Sequence, residues 1–92
     1  MKEVSYCEMK EGINKIIRKY ITLDFSEESW LYAELAFDSF ELIELVMDIE
    51  KMFKISIPNK EWASLLFNDK GHDVKLGAVY LFVAKHLGIK RQ

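Results

Sequence analysis

Asp38-Ser39-Phe40-Glu41-Leu42-Ile43-Glu44-Leu45-Val46-Met47-Asp48-Ile49-Glu50-Lys51-Met52-Phe53 reads as one helix with its start marked. Asp38 followed three residues later by Glu41 has capping-box spacing, with aspartate in place of serine or threonine as the cap. Behind it, Phe40, Ile43, Val46, Met47, Ile49 and Phe53 recur as an apolar stripe, which predicts the face turned inward. Glu41, Glu44 and Asp48 recur three and four residues apart and predict an acidic stripe facing solvent. Ser39 then lies in the first turn with its hydroxyl near water. Unpaired backbone N–H groups and the positive end of the helix dipole favour a phosphate there. On spacing alone, a serine so placed more often does nothing beyond helping to cap a helix.

Outward from this helix the chain is punctuated, with no internal repeat, low-complexity stretch or Pro/Gly-rich linker. A first helix is predicted from Glu3 to Tyr20, where Met9, Ile13, Ile16, Ile17 and Tyr20 share one face. Ile21 to Phe37 breaks the pattern. There Ile21, Leu23 and Phe25 alternate with polar residues, as do Phe53, Ile55 and Ile57 later. A lone pair of short strands is marginal, so loops pinned by inward apolar anchors are the better reading. Pro58 stops the second extended piece, and Asn59 is the expected cap of a short third helix reaching Phe67. Asn68 to Asp73 reads as a loop, and Val74 to Leu87 as the last helix. Leu76, Val79, Tyr80, Val83 and Leu87 line its face, Lys85 and His86 complement its dipole, and Gly88 stops it. The layout is all-α: an up-and-down four-helix bundle of three main helices and one short one, with a long first loop.

Ninety-two residues, half of them hydrophobic, fit a single domain spanning 1–92 with one core. A chain of this size is marginal enough that any internal cavity must be small or transient. The net charge of −2 argues for neither nucleic acid nor an anionic membrane. The charge is polarised. Acids crowd residues 21–54, whereas 74–92 carry Lys75, Lys85, Lys90 and Arg91 and no acid. Cys7, the single cysteine, makes no internal disulfide and fits a reducing compartment. The longest apolar run, Ala78 to Ala84, is too short to span a bilayer. The N-terminal residues lack the apolar core of a signal peptide. These features predict a soluble, cytoplasmic monomer without stable membrane insertion.

The stretch from Leu35 to Pro58 resembles the attachment-site helix of acyl carrier proteins. In that family an Asp-Ser-Leu motif precedes an apolar, acidic helix, and an Ile-Pro pair stands just before a short third helix. Here Asp38-Ser39-Phe40, the helix to Phe53 and Ile57-Pro58 occupy those places. Helix order and loop lengths extend the likeness more weakly over almost the whole chain. The resemblance implies that Ser39 carries 4′-phosphopantetheine, attached by a phosphopantetheinyl transferase that also recognises Asp38. It implies that Glu41, Glu44 and Asp48 form an acidic face read by basic patches on partner enzymes. Phe40, Ile43, Val46, Met47 and Ile49 would wall the apolar space that shelters an acyl chain. The chain itself would catalyse nothing, since a group carrier supplies a tether and a thiol to enzymes that do. Its partners would load, elongate, modify or transfer the cargo in fatty-acid, polyketide or related lipid synthesis.

Departures from the pattern cluster beside the serine. Ala36 stands where the family has glycine, Phe37 where a small residue is usual, and Phe40 where leucine is usual. Two phenylalanines flanking Ser39 predict a more crowded or more apolar exit for the arm, and a specialised carrier. Two rival readings share the fold: a peptidyl or aminoacyl carrier of a nonribosomal or cell-envelope ligase pathway, and an unmodified helical adaptor. His72, His86 and Cys7 have no spacing that would converge on a metal, and no metal site is expected. Neither histidine has an orienting acid in the sequence except Asp73 beside His72. Both read as solvated residues, in a loop and at a helix end. Four basic residues near the C-terminus without interleaved exposed aromatics make no case for nucleic acid. Trp30 and Trp62 are expected to anchor the long loop and the third helix.

Overall fold

Four helices form the regular structure of this computed structural model, which describes residues 4–67 and 72–89: α1 Tyr6–Ile17, α2 Ser39–Phe53, α3 Asn59–Leu66 and α4 Leu76–Leu87. No strand occurs among the described residues. The arrangement is the expected all-α bundle of three main helices and one short one. α1 packs on both α2 and α4.

Local chemistry sets most helix ends, and several differ from the sequence reading. Ser5 has extended backbone and closes a reciprocal capping box with Glu8, so α1 begins at Tyr6. Glu3, the expected start, lies outside the described residues. The helix stops at Ile17, and residues 18–20 form a turn rather than its last turn. α3 is preceded by Pro58 as its cap residue, and Asn59 is its first helical residue, without a side-chain cap. Proline there fixes a usable backbone angle and accepts the Glu61 N–H at its carbonyl but has no side-chain acceptor, and Asn59 is not the cap. α4 begins at Leu76, two residues late, because Lys75 is drawn into an antiparallel bridge with Trp30. Gly88 ends α4 in the left-handed conformation, at φ 73°, where glycine carries no steric penalty.

The long loop is pinned from several directions. Leu31, Leu35 and Phe37 are buried, and Ile21 and Phe25 are half-buried against the core. Leu23 is an exception: it is exposed and anchors nothing. Backbone bonds fasten the loop to the entry of α4, with the Leu31 N–H donating to Val74 O and the Leu76 N–H to Ser29 O, both at 2.9 Å. Gly77 also donates its N–H to Glu27 O at 2.8 Å, an approach that a side chain would obstruct. The expected loop 68–73 lies largely outside the described residues.

Asp73 clamps the same region. Its carboxylate accepts the N–H groups of Tyr32 at 2.9 Å, Ala33 at 2.8 Å and Val74 at 2.8 Å. Burial works against its charge, but these three donors outweigh that and hold the carboxyl below its usual value. A depressed folded value means that its contribution is complete above the ordinary aspartate range and is lost as pH falls through the folded one. Asp73→Asn is expected to cost about 1.5 kcal/mol at neutral pH, the low end for charged hydrogen bonds because water screens part of the group. The deficit should shrink as pH falls below about 4. Urea denaturation across pH measures this. A deficit that stays constant down to about pH 2 would show that the charge is immaterial.

The main correction concerns α2. Its buried residues are Leu42, Leu45 and Ile49, with Val46 and Phe53 packed at the edge. Phe40, Ile43 and Met47 are 79%, 49% and 61% exposed. The stripe Phe40–Ile43–Val46–Met47–Ile49–Phe53 is therefore not the inward face. Leu-Ile-Glu-Leu-Val-Met is apolar on two adjacent rows, so periodicity alone does not select one. Packing against α1 selects the Leu42–Leu45–Ile49 row. Gly12 of α1 permits the close crossing, since a Cβ there would stand 2.9 Å from Met52 Sδ and 3.1 Å from Phe53 Cζ.

On α4 the expected face holds: Leu76, Val79, Tyr80 and Val83 are buried, and Leu87 is half-buried. Burial pushes the Tyr80 phenol up to about 12, so it stays protonated and donates to Asn14 Oδ1 of α1.

Candidate functional site

The start of α2 is built by the turn before it. Ala36 adopts the left-handed conformation at φ 55°, which reverses the chain between buried Leu35 and buried Phe37. Phe37 turns its ring inward against Tyr20, with centroids 6.1 Å apart, and donates its N–H to Leu31 O at 3.0 Å. The chain then emerges as Asp38 and Ser39, both exposed. Only one of the two flanking phenylalanines, Phe40, therefore crowds the surface beside the serine.

Ala36 stands where a left-handed backbone penalises any Cβ, by about 1–2 kcal/mol. Ala36→Gly removes that penalty but adds unfolded-state entropy, which offsets about half of it. The expected net is a stabilisation of about 0.5 kcal/mol, read as a small rise in melting temperature. A fall would mean that the alanine methyl packs usefully.

Asp38 caps the helix as predicted. Its Oδ1 accepts the Glu41 N–H at 2.8 Å, Glu41 Oε1 accepts the Asp38 N–H at 3.1 Å, and Asp38 O accepts the Leu42 N–H at 3.0 Å. Ser39 is the first helical residue, and its N–H and that of Phe40 are the remaining first-turn donors. The arrangement fits a phosphodiester on the serine oxygen: an exposed hydroxyl, two unclaimed N–H groups and the positive helix end. Two carboxylates stand nearby, but both are committed to backbone N–H groups in the cap.

The three acids assigned to a docking face behave differently from one another. Glu44 is exposed. Glu41 is half-buried in the capping box. Asp48 ties α2 to the end of α1: it accepts the Tyr20 hydroxyl at 2.7 Å and lies 3.3 Å from Lys19 Nζ. The Tyr20 hydrogen bond, helped by Lys19, outweighs burial and holds the Asp48 carboxyl below its usual value. Burial and the same bond push the Tyr20 phenol up to about 12. Asp48 is thus partly consumed by the fold.

The five residues assigned to an acyl space also separate. Val46 and Ile49 face the interior, whereas Phe40, Ile43 and Met47 point outward and cannot wall it. Sequence reasoning missed Glu50, whose Oε2 accepts both the Ile57 N–H at 2.8 Å and Trp62 Nε1–H at 3.1 Å. A buried indole needs an acceptor, but the sequence alone does not say which residue supplies it. It also missed the acid facing His86. That acid is Glu61 of α3, at 3.1 Å, and sequence separation hid it. Asp73, the one candidate noted beside His72, is occupied by the loop clamp.

The four helices, with no strand among the described residues, match the all-α fold of acyl carrier proteins. The structure is similar over 87% of this chain to one from Mycobacterium tuberculosis described as "a putative acyl carrier protein". The two share 24% identity at a TM-score of 0.59, and 95% of the other chain is covered. No protein-family model matches the sequence, and no curated protein matches it. No helix among the described residues is long and apolar enough to cross a membrane.

Proposed function

We propose that this chain is a carrier that holds acyl intermediates as thioesters on a 4′-phosphopantetheine arm attached to Ser39. The observation that carries the reading is the exposed Ser39 at the first position of α2, directly after the Asp38–Glu41 capping box. The rigid cap holds the serine oxygen outward, where a transferase can reach it. That oxygen takes the phosphopantetheine group from coenzyme A and loses its proton, and the nucleotide half departs. Once attached, the arm supplies a thiol on a flexible tether, which raises the effective concentration of its cargo at any enzyme that docks.

The chain's own residues present and orient. Asp38 and Glu41 keep the first turn ordered, while Glu44 offers an exposed acid that speeds and aligns encounters with basic partners. Asp38 also contributes to transferase recognition, and Asp48 adds to the acidic field from a partly buried position. Val46 and Ile49 supply apolar interior surface for a cargo. Partners on this reading are a phosphopantetheinyl transferase, a loading enzyme and the cytoplasmic enzymes that modify or transfer the acyl group. The chain acts as one non-catalytic domain.

Incubation with coenzyme A and a broad-specificity transferase, followed by intact-mass spectrometry, tests the reading. A gain of one phosphopantetheine supports the carrier; no gain under conditions that modify a control carrier favours the unmodified adaptor. Loading the modified protein with fatty acids in one reaction and amino acids in another separates acyl from aminoacyl cargo.

A further inference from the structure

We propose that His86 is a proton-operated latch that fastens α3 to α4. His86 Nδ1 lies 2.9 Å from the Phe82 carbonyl oxygen of its own helix, and Nε2 lies 3.1 Å from Glu61 Oε1 of α3. Both partners accept. A neutral imidazole carries a single N–H and serves only one of them, whereas the imidazolium donates to both. Neither the carbonyl nor the carboxylate donates, so the neutral ring keeps only one of the two bonds, whichever nitrogen holds its hydrogen. In either case deprotonation removes the ion pair with Glu61 and leaves at most an uncharged donor at Nε2, so the contact weakens.

α3 depends on such a contact more than the other helices do. It is eight residues long and has neither a side-chain cap at its start nor a basic residue in its last turn. Among the described residues its other ties include buried Trp62 and Leu66, half-buried Leu65, the Trp62 bond to Glu50 and the Tyr32 hydroxyl donating to Leu66 O at 2.6 Å. The Phe82 ring lies between the two partners, with centroids 4.9 Å from Trp62 and 4.7 Å from His86. Movement of the imidazole therefore reaches the main anchor of α3 through one ring.

Glu61 is the charged group facing the imidazole from α3. On α4, Lys85 is exposed to solvent, and Phe82 supplies the other contacts. From α2, Glu50 reaches Trp62 rather than His86 and is held by two N–H donors. The latch stands independently of the carrier reading.

Amide hydrogen exchange measured as a function of pH, corrected for intrinsic rates, tests it. Protection in α3 is expected to fall about threefold as pH rises from about 5.5 to 8, while central α1 amides hold. Glu61 is partly exposed, so Glu61→Gln leaves the core untouched, and it should abolish the pH dependence in α3. His86→Lys should keep α3 protected at both pH values. A wild-type α3 indifferent to pH, or a pH dependence that persists in Glu61→Gln, would overturn the proposal.

Discussion

Ser39→Ala is expected to abolish phosphopantetheine attachment completely while leaving the fold intact. The side chain lies outside the capping box, which runs between Asp38 and Glu41, so the helix start does not depend on its hydroxyl. Alanine at a first helical position is well tolerated by propensity. The variant should therefore match the parent in helical circular dichroism and in stability to within about 0.5 kcal/mol. Intact-mass spectrometry after transferase treatment should show one added arm on the parent and none on the variant. Asp38→Ala makes a useful contrast. It should cost about 1 kcal/mol through the lost cap yet keep the acceptor oxygen. It should accordingly be modified more slowly rather than not at all. If Ser39→Ala still gains the arm, the attachment point lies elsewhere and the site assignment is wrong.

Leu45→Ala should destabilise the protein by about 3 kcal/mol, and Phe40→Ala by no more than about 0.5 kcal/mol. Leu45 is buried, and truncating it removes apolar contacts while leaving a cavity that a small bundle closes only in part. Phe40, although larger, is 79% exposed and has little packing to lose. For a domain of this size, 3 kcal/mol is a large share of the total stability. Urea denaturation of both variants measures the order directly. A more costly Phe40 substitution would mean that α2 is rotated, with Phe40, Ile43 and Met47 facing the core.

Several features of the site were legible because they rest on local chemistry. The Asp38–Glu41 box involves residues three apart, and their side-chain and backbone atoms meet whenever a helix starts there. The glycine stop at Gly88 is local in the same sense. The Ser5–Glu8 box is a local signal of the same kind, and it sets the start of α1 at Tyr6 rather than at the expected Glu3. Pairings over longer spans left no trace in the order of residues. Tyr20 with Asp48, Asp73 with Tyr32 and Ala33, Glu50 with Trp62, and Glu61 with His86 each join elements separated by a turn or a loop.

By itself the sequence determined that there would be helices, roughly where they run, how the central one starts, and that a serine would be displayed at that start. Each of these follows from periodicity and from hydrogen bonds between near neighbours. Only the tertiary structure decided which apolar row of α2 goes inside, because two rows were equally apolar and α1 had to choose between them. It likewise decided which acids stay free for a partner, since an aspartate within reach of a tyrosine and a lysine from the turn after α1 is spent on the fold.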